Sequence, residues 1–167
     1  MVTPDPAAEI RVTAEIQVTA QIQQFYAQQM QAIDRGDVDA WLDTFTDDAT
    51  IANNTRPEPA RGRATIATVA RRLVADAAGS GVVHRHWTGM AQVARQPDGT
   101  VRATSYALVV QTPGPAGSTA PGPAAAPGSV GSAGPGLWRS TVCVEVLVRE
   151  DGRWRIRQRN VTHDDVR

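Results

Sequence analysis

The feature that most constrains this chain is a change of hydrophobic period halfway along it. Up to about residue 78 the apolar residues return every ~3.6 positions, whereas from Val82 onward they alternate with a period near ~2, the marks of helices and then strands. In the first half Ile22, Phe25, Tyr26, Met30 and Ile33 predict a helix from about Glu15 to Gly36, preceded by a flexible arm over residues 1–14 that carries two prolines. Asp37 then reads as the N-cap of a short helix bearing Val38, Trp41, Leu42 and Phe45. Ala49 to Asn53 reads as a short strand, and Ile66, Val69, Leu73 and Val74 place a third helix over Ala64 to Ala78. In the second half, strands are expected at Val82–Arg95, Thr100–Thr112, Leu137–Arg149 and Arg153–Thr162, with PDG and EDG as hairpin turns. Helices followed by an antiparallel meander make an α+β domain in which helices cover one sheet face.

One segment interrupts the meander. In residues 113–136, 13 of 24 residues are Gly or Pro and none is charged, a composition that cannot bury enough apolar surface to repay ordering. The reading is a disordered insertion at a hairpin tip of a single domain spanning 15–167, the alternative being a lid or partner-binding segment.

Composition narrows the chemistry. The 17 basic residues are all Arg, so a Schiff-base or P-loop lysine is excluded, and they balance 17 acidic residues, leaving no basic excess for a nucleic-acid partner. Cys143, the single cysteine, cannot form an internal disulfide or a cysteine zinc site, and its VCVEVLV setting is that of a packed small hydrophobe. No run approaches the ~18 apolar residues of a membrane helix, and no basic leader precedes an apolar stretch, so no membrane role and a cytoplasmic location are expected. GxGxxG, GxxxxGK[ST] and GxSxG are absent. Arg153, Arg155, Arg157 and Arg159 alternate with Trp154, Ile156, Gln158 and Asn160, the pattern of a half-buried strand with a solvated arginine face.

Two places remain where polar groups meet apolar faces. Asp34 closes the first helix, in one stripe with Tyr26 and Met30, where a carboxylate at the apolar border needs a partner; the alternative is a solvated turn residue. In VVHRHWTGM, strand alternation puts His84, His86, Thr88, Met90 and Gln92 on one face and Val83, Trp87, Ala91 and Val93 on the other. A histidine beside a buried carboxylate has the makings of a general base, because the carboxylate fixes the tautomer while the other ring nitrogen takes a proton. An HxH pair could also ligate zinc, but a third ligand is not evident, so neither metal nor cofactor is expected. A homodimer through the outer sheet face fits Val and Trp residues on both strand faces.

FYAQQMQAIDRGDVDAWLDTFTDDATI, ARGRATI, HRHWTGM and VREDGRWRIRQR, in that order, resemble the landmarks of the SnoaL-like branch of the NTF2-like superfamily across residues 22–159, insertion excluded. That superfamily also holds scytalone dehydratase, ketosteroid isomerases, polyketide cyclases and small subunits of ring-hydroxylating dioxygenases. The resemblance implies a cone, a curved antiparallel sheet wrapped around helices with an internal apolar pocket. It implies an Asp34–His86 dyad acting as a dehydratase or cyclase on a small hydrophobic oxygenated ring compound such as a polyketide intermediate. Substrate contacts are expected from Tyr26, Met30, Asn53, His84, Tyr106 and Trp138, with Tyr26, Asn53 or Asn54 as an oxyanion donor. Cys143 stands near a position where many relatives carry tyrosine. The rival readings are a non-catalytic subunit and a ketosteroid-type isomerase, which relies on a carboxylate base alone.

Overall fold

The structure, a computed structural model, describes residues 5–113 and 135–166. The first helix, α1 (Pro6–Asp34), starts well before Glu15, so residues 6–14 of the expected arm are helical, while residues 1–4 lie outside the described residues. Asp5 caps it by accepting from the Ala7 amide at 3.0 Å, Pro6 stands at the first helical position where its missing N–H costs nothing, and no Gly or Pro follows up to Asp34. Ile10, Val12 and Ile16 are exposed, so these extra turns add length without joining the core. Helix α2 (Val38–Leu42) is capped by Asp37, whose side chain accepts from the Ala40 amide at 3.1 Å. Phe45, expected on that helix, instead opens β1 (Phe45–Asn53) opposite Ile156, because it is fully buried there against the sheet. A two-residue β2 (Ala60–Arg61) precedes α3 (Arg63–Gly79).

The meander is β3 (Val82–Arg95), β4 (Val101–Pro113), β5 (Gly136–Glu150) and β6 (Arg153–His163). Asp151 and Gly152, both at positive φ, make the tight β5–β6 turn. The expected insertion at 113–136 lies, for residues 114–134, outside the described residues.

The sheet runs β2-β1-β6-β5-β4-β3 and is not closed. It is mixed rather than antiparallel throughout: β1 pairs parallel with β6, and every other neighbour is antiparallel. Side-chain alternation carries no information about strand direction, so the pairing of β1 is decided by tertiary packing alone. Helices pack on the concave face, where Ile22, Phe45, Ile66, Val101, Leu147 and Ile156 form the deepest core. Among the described residues no helix is long and apolar enough to cross a membrane.

Besides a register shift in β1 between Phe45 and Thr50, bulges in β3, β5 and β6 decide which side chains reach that concave face, since one extra residue moves all later residues to the opposite side. In β3 the register shifts between Gly89 and Gln92, with Met90 at φ 53°. His84, His86 and Thr88 point inward before it, and Ala91 and Val93 after it, so Met90 and Gln92 do not share the histidine face as alternation predicts. In β6, Leu147 pairs with Ile156 but Val146 with Gln158, which makes Arg157 the extra residue and turns Arg159 into the interior. The expected solvated arginine face therefore fails at Arg159, and also at Arg155, whose side chain is 17% exposed and donates to the Asp43 carbonyl at 2.6 Å. In β5, Trp138 is the extra residue between Leu137 and Arg139.

Candidate active site

Residues paired across strands share a face, so the inner surface can be read in rows. The deeper row is Val93, Ala103, Glu145 and Arg159; the next rows toward the open end contain Ser105, Cys143 and Val161, then Thr88, Ala107, Thr141 and His163, then His86, Val109 and Arg139. Helix α1 lies across these rows, with Tyr26 low and Asp34 high.

At the high end Asp34 and His86 meet. Asp34 Oδ1 lies 2.6 Å from His86 Nδ1, and its Oδ2 accepts from the His86 backbone amide at 3.1 Å. The helix terminus thus holds both backbone and ring of the strand residue, which fixes the imidazole plane. The Asp34 side chain is 9% exposed and that of His86 29%, so the carboxylate is sheltered while the ring keeps an open side. With Nδ1–H donated to Asp34, Nε2 is left as the acceptor, and among the described residues nothing hydrogen-bonds it. This is the pair that sequence reasoning selected, in the geometry a general base needs.

His84 stacks face to face on Trp138, centroids 4.7 Å apart and planes 7° from parallel. Its Nε2 is buried and has no hydrogen-bond partner among the described residues. Burial, and then the nearby His86, hold its pKa below the usual histidine value against the opposing pull of Asp34. Met30 is half-buried one turn before Asp34.

The remaining expected contacts fall elsewhere. Tyr26 is buried and its hydroxyl donates to Glu145, so it is not free to serve an oxyanion; burial, then the Glu145 charge, push its pKa far above the ordinary phenol value. Asn53 Oδ1 accepts from the Thr55 amide at 3.0 Å and its hydroxyl at 2.6 Å, a local turn. Asn54 donates to the His163 and Val166 carbonyls and accepts from the His163 amide, pinning the C-terminal turn. Tyr106 is 56% exposed on the outer face, paired with Gly89 and Val142, away from the histidines.

Below the pair lies a network that sequence reasoning missed. Glu145 accepts from Tyr26 and from Arg159 Nε, Arg159 Nη2 donates to Gln29, Gln29 donates to Thr44, and Thr44 donates to the Trp41 carbonyl. Glu145 is 1% and Arg159 8% exposed, and the guanidinium lies over the Phe45 ring at 5.3 Å. Burial works against the Arg159 charge, but the Glu145 carboxylate with Cys143 and Tyr26 outweighs it and keeps the guanidinium firmly protonated. The lower interior is therefore filled by polar side chains rather than left as an apolar pocket. The signal for it was the one carboxylate in VCVEVLV, sharing its parity with Thr141 and Leu147. Cys143 is half-buried, and burial raises its thiol pKa, which favours the neutral thiol.

Two clefts of about 370 and 470 Å³, one between α2 and α3 and one along the first turns of α1, include neither Asp34 nor His86. Among the described residues no three His, Cys, Asp or Glu side chains gather as a metal site.

Known structures place the fold. ActVI-ORFA from Streptomyces coelicolor is 29% identical with a TM-score of 0.72, the match covering 91% of this chain and 98% of that one. A protein from Catenulispora acidiphila in complex with S-DNPA is 30% identical with a TM-score of 0.68, covering 90% of this chain and 96% of that one. The beta subunit of a putative aromatic-ring-hydroxylating dioxygenase from Novosphingobium aromaticivorans, at 16% identity and TM-score 0.65 over 93% of this chain and 94% of that one, shares the fold alone. No curated protein matches the chain significantly. The SnoaL-like domain profile matches residues 14–160, and with the cone of helices against a curved, unclosed mixed sheet, the chain belongs to the SnoaL-like family within the NTF2-like superfamily.

Proposed function

We propose that this chain is a cofactor-independent dehydratase or cyclase acting on a small hydrophobic oxygenated ring compound, of the kind met in polyketide biosynthesis. The observation that carries the reading is the 2.6 Å contact between Asp34 Oδ1 and His86 Nδ1. His86 Nε2 takes the proton from the carbon next to a carbonyl, and the bond electrons move onto the carbonyl oxygen. The charge gained by the imidazole faces the Asp34 carboxylate. In a dehydration the same nitrogen returns the proton to a departing β-hydroxyl, which leaves as water; in a cyclisation the enolate carbon attacks a second carbonyl instead, and the oxygen of that carbonyl takes the proton back from His86 as it becomes a hydroxyl. Two similar proteins support the direction of this reading, one of them crystallised with the small molecule S-DNPA. A dioxygenase-type subunit role rests on the fold alone, and a ketosteroid-type isomerase needs no histidine, whereas here the carboxylate is spent on one.

The test is turnover on a panel of cyclic β-hydroxy ketones, followed by the absorbance of the conjugated product. His86→Ala and Asp34→Asn should each lower kcat by about 10²–10⁴-fold with the fold intact. Full activity in either variant would sink the dyad.

Pairing of two copies through the outer sheet face is part of the same proposal. Trp87 and Tyr106 are exposed there beside Leu108. Light scattering of Trp87→Asp should show a monomer where the parent is a dimer; a monomeric parent overturns it.

A further inference from the structure

A general base supplies only half of the chemistry read at His86. Taking the proton from the carbon next to a carbonyl leaves negative charge on the carbonyl oxygen, and a donor fixed at that oxygen lowers the barrier. Tyr26 is spent on Glu145, Asn53 on its own turn and Asn54 on the C-terminal turn. The groups left unbonded point to another donor.

Asn54 clamps the backbone of His163, accepting from its amide at 2.8 Å and donating to its carbonyl at 2.9 Å. The following residue is tied down as well, because the Asp164 amide donates to the Ser140 carbonyl at 3.1 Å and the Ser140 hydroxyl to Asp164 Oδ2 at 2.6 Å. His163 pairs with the buried Thr141, so its imidazole stands on the inner face, one row below His86. Between the two histidines that face carries the small side chains of Ala107, Val109 and Thr141, and the Thr141 hydroxyl is turned back onto the Ala107 carbonyl at 3.1 Å. Three strand steps of about 4.8 Å separate β3 from β6, and the curve of the sheet turns both rings toward one interior. A ring compound lying on these small residues meets a histidine at either end.

The two imidazoles have opposite neighbours. His86 Nδ1 meets a carboxylate, which leaves its Nε2 as an acceptor. His163 Nδ1 is buried with no hydrogen-bond partner among the described residues, and so is Arg139 Nη1, which can only donate. Burial, and then the charge of Arg139, hold the His163 pKa below the usual histidine value, against the pull of Asp165 and Asp164 on the C-terminal turn. A ring that is neutral at neutral pH, with a cation beside Nδ1, keeps its proton on Nε2. His163 is half-buried, and its Nε2 is accessible and unpartnered among the described residues.

We propose that His163 is a second catalytic residue, whose neutral ring donates Nε2–H to the carbonyl oxygen of the substrate while His86 removes the neighbouring proton. The hydrogen bond strengthens as charge builds on that oxygen, and the proton stays on the His163 ring. This rests on the general-base reading of His86, but the first tests read protonation and binding, not turnover. Ring-nitrogen NMR of the full chain at about pH 7.5, above the ordinary histidine pKa, should find the proton of His163 on Nε2 and that of His86 on Nδ1. A proton on His163 Nδ1 overturns the assignment. 4-Nitrophenolate presents an oxyanion on a ring and 4-nitroanisole does not; calorimetry should show the phenolate bound about 10- to 100-fold tighter, the worth of a hydrogen bond to a charged group. His163→Phe should erase that preference and His86→Ala should keep it. Equal affinities in the parent, a preference that survives His163→Phe or is lost in His86→Ala instead, or no binding of either compound at millimolar concentration overturns the inference.

Should His163→Phe fail to fold, the His163 Nε2 resonance of the parent decides: it should shift with the phenolate and not with the anisole, and no shift overturns the assignment. On the β-hydroxy ketones, His163→Phe should lower kcat by about 10²–10³-fold with little change in KM, and His163→Gln, whose amide reaches to where Nε2 stands, should recover part of the loss. Turnover kept in His86→Ala beside a phenolate preference that needs His163 leaves the donor in place and removes only the base. Turnover lost in His86→Ala beside full turnover in His163→Phe removes only the donor.

Discussion

Two carboxylates sit on the inner surface of this cone, and their surroundings differ in kind. Glu145 is enclosed, and both of its oxygens are taken, one by Tyr26 and one by Arg159, which is itself tied to Gln29. Asp34 engages a single residue, through its ring and its amide, and that ring keeps a nitrogen facing open space. A saturated network of buried charges resists any change in protonation or position, which suits a structural floor. An unsaturated pair at a half-exposed rim has the free valence that proton transfer needs. On the proposed function, chemistry is told from architecture here by what is left unbonded, not by the presence of charge.

The widest separation of the two should come from paired substitutions. Asp34→Asn lowers kcat by about 10²–10⁴-fold while moving stability by only about 1–2 kcal/mol, the scale of one or two altered hydrogen bonds. Glu145→Ala does the reverse. It strands the buried Arg159 and should cost about 3–5 kcal/mol, while the folded fraction keeps its turnover. Urea denaturation and initial rates on the same preparations check both. The double replacement of Glu145→Leu with Arg159→Met removes both charges together and should recover most of the lost stability. If Glu145→Ala abolishes turnover in fully folded protein, the floor takes part in the reaction and the division fails.

Acid separates the regions less strongly. His84 and His163 both have pKa values held below the ordinary histidine value, chiefly by burial. The unfolded imidazoles begin to bind protons near pH ~6.5, whereas the folded ones wait for lower pH. Within that window the unfolded state holds more protons, so stability is complete above it and falls as the pH drops through it. Thermal melts between about pH 7.5 and 5 should show this slope, and His84→Asn or His163→Asn should flatten part of it. The floor contributes no slope through Arg159, whose guanidinium stays charged throughout. A slope unchanged in both variants would place the acid sensitivity elsewhere.

Much of this was legible in the sequence. The period change located α3 and all four strands of the meander to within a residue or two, and the stripe ending in Asp34 met the face carrying His86 as expected. What escaped has a common physical origin. Alternation assumes an unbroken pleat, and each bulge breaks it. Arg159 read as solvated because Arg157 and its even spacing were counted as ladder residues, and its burial depends on Glu145 lying opposite on another strand. Asn53 and Tyr106 read as pocket residues because residue type was visible and side-chain direction was not; one closes a turn and the other faces outward. The parallel placement of β1 is likewise set by packing against β6 rather than by its own residues.

The bulge at Met90 marks the boundary between the two regions, so it offers the finest test of their independence. Above it the even-numbered residues of β3 face inward and include His86; below it the odd-numbered Ala91 and Val93 do so, packing toward the row of Glu145. Met90 occupies φ 53°, a left-handed conformation that costs a side-chain-bearing residue about 1–2 kcal/mol and glycine nothing. Glycine also gives the unfolded chain more freedom, a loss of about 0.5–1 kcal/mol on folding. The Met90 side chain is almost fully exposed, so its removal forfeits no packing. Met90→Gly should therefore leave stability unchanged or raise it by up to about 1 kcal/mol, with kcat within about two- to three-fold of the parent, since His86 keeps its place on Asp34. A stability gain with unchanged turnover means the bulge serves only to set side-chain parity. A folded, stable variant that loses turnover would mean that strain at Met90 helps to aim His86, and the rim and the floor could no longer be treated as separate.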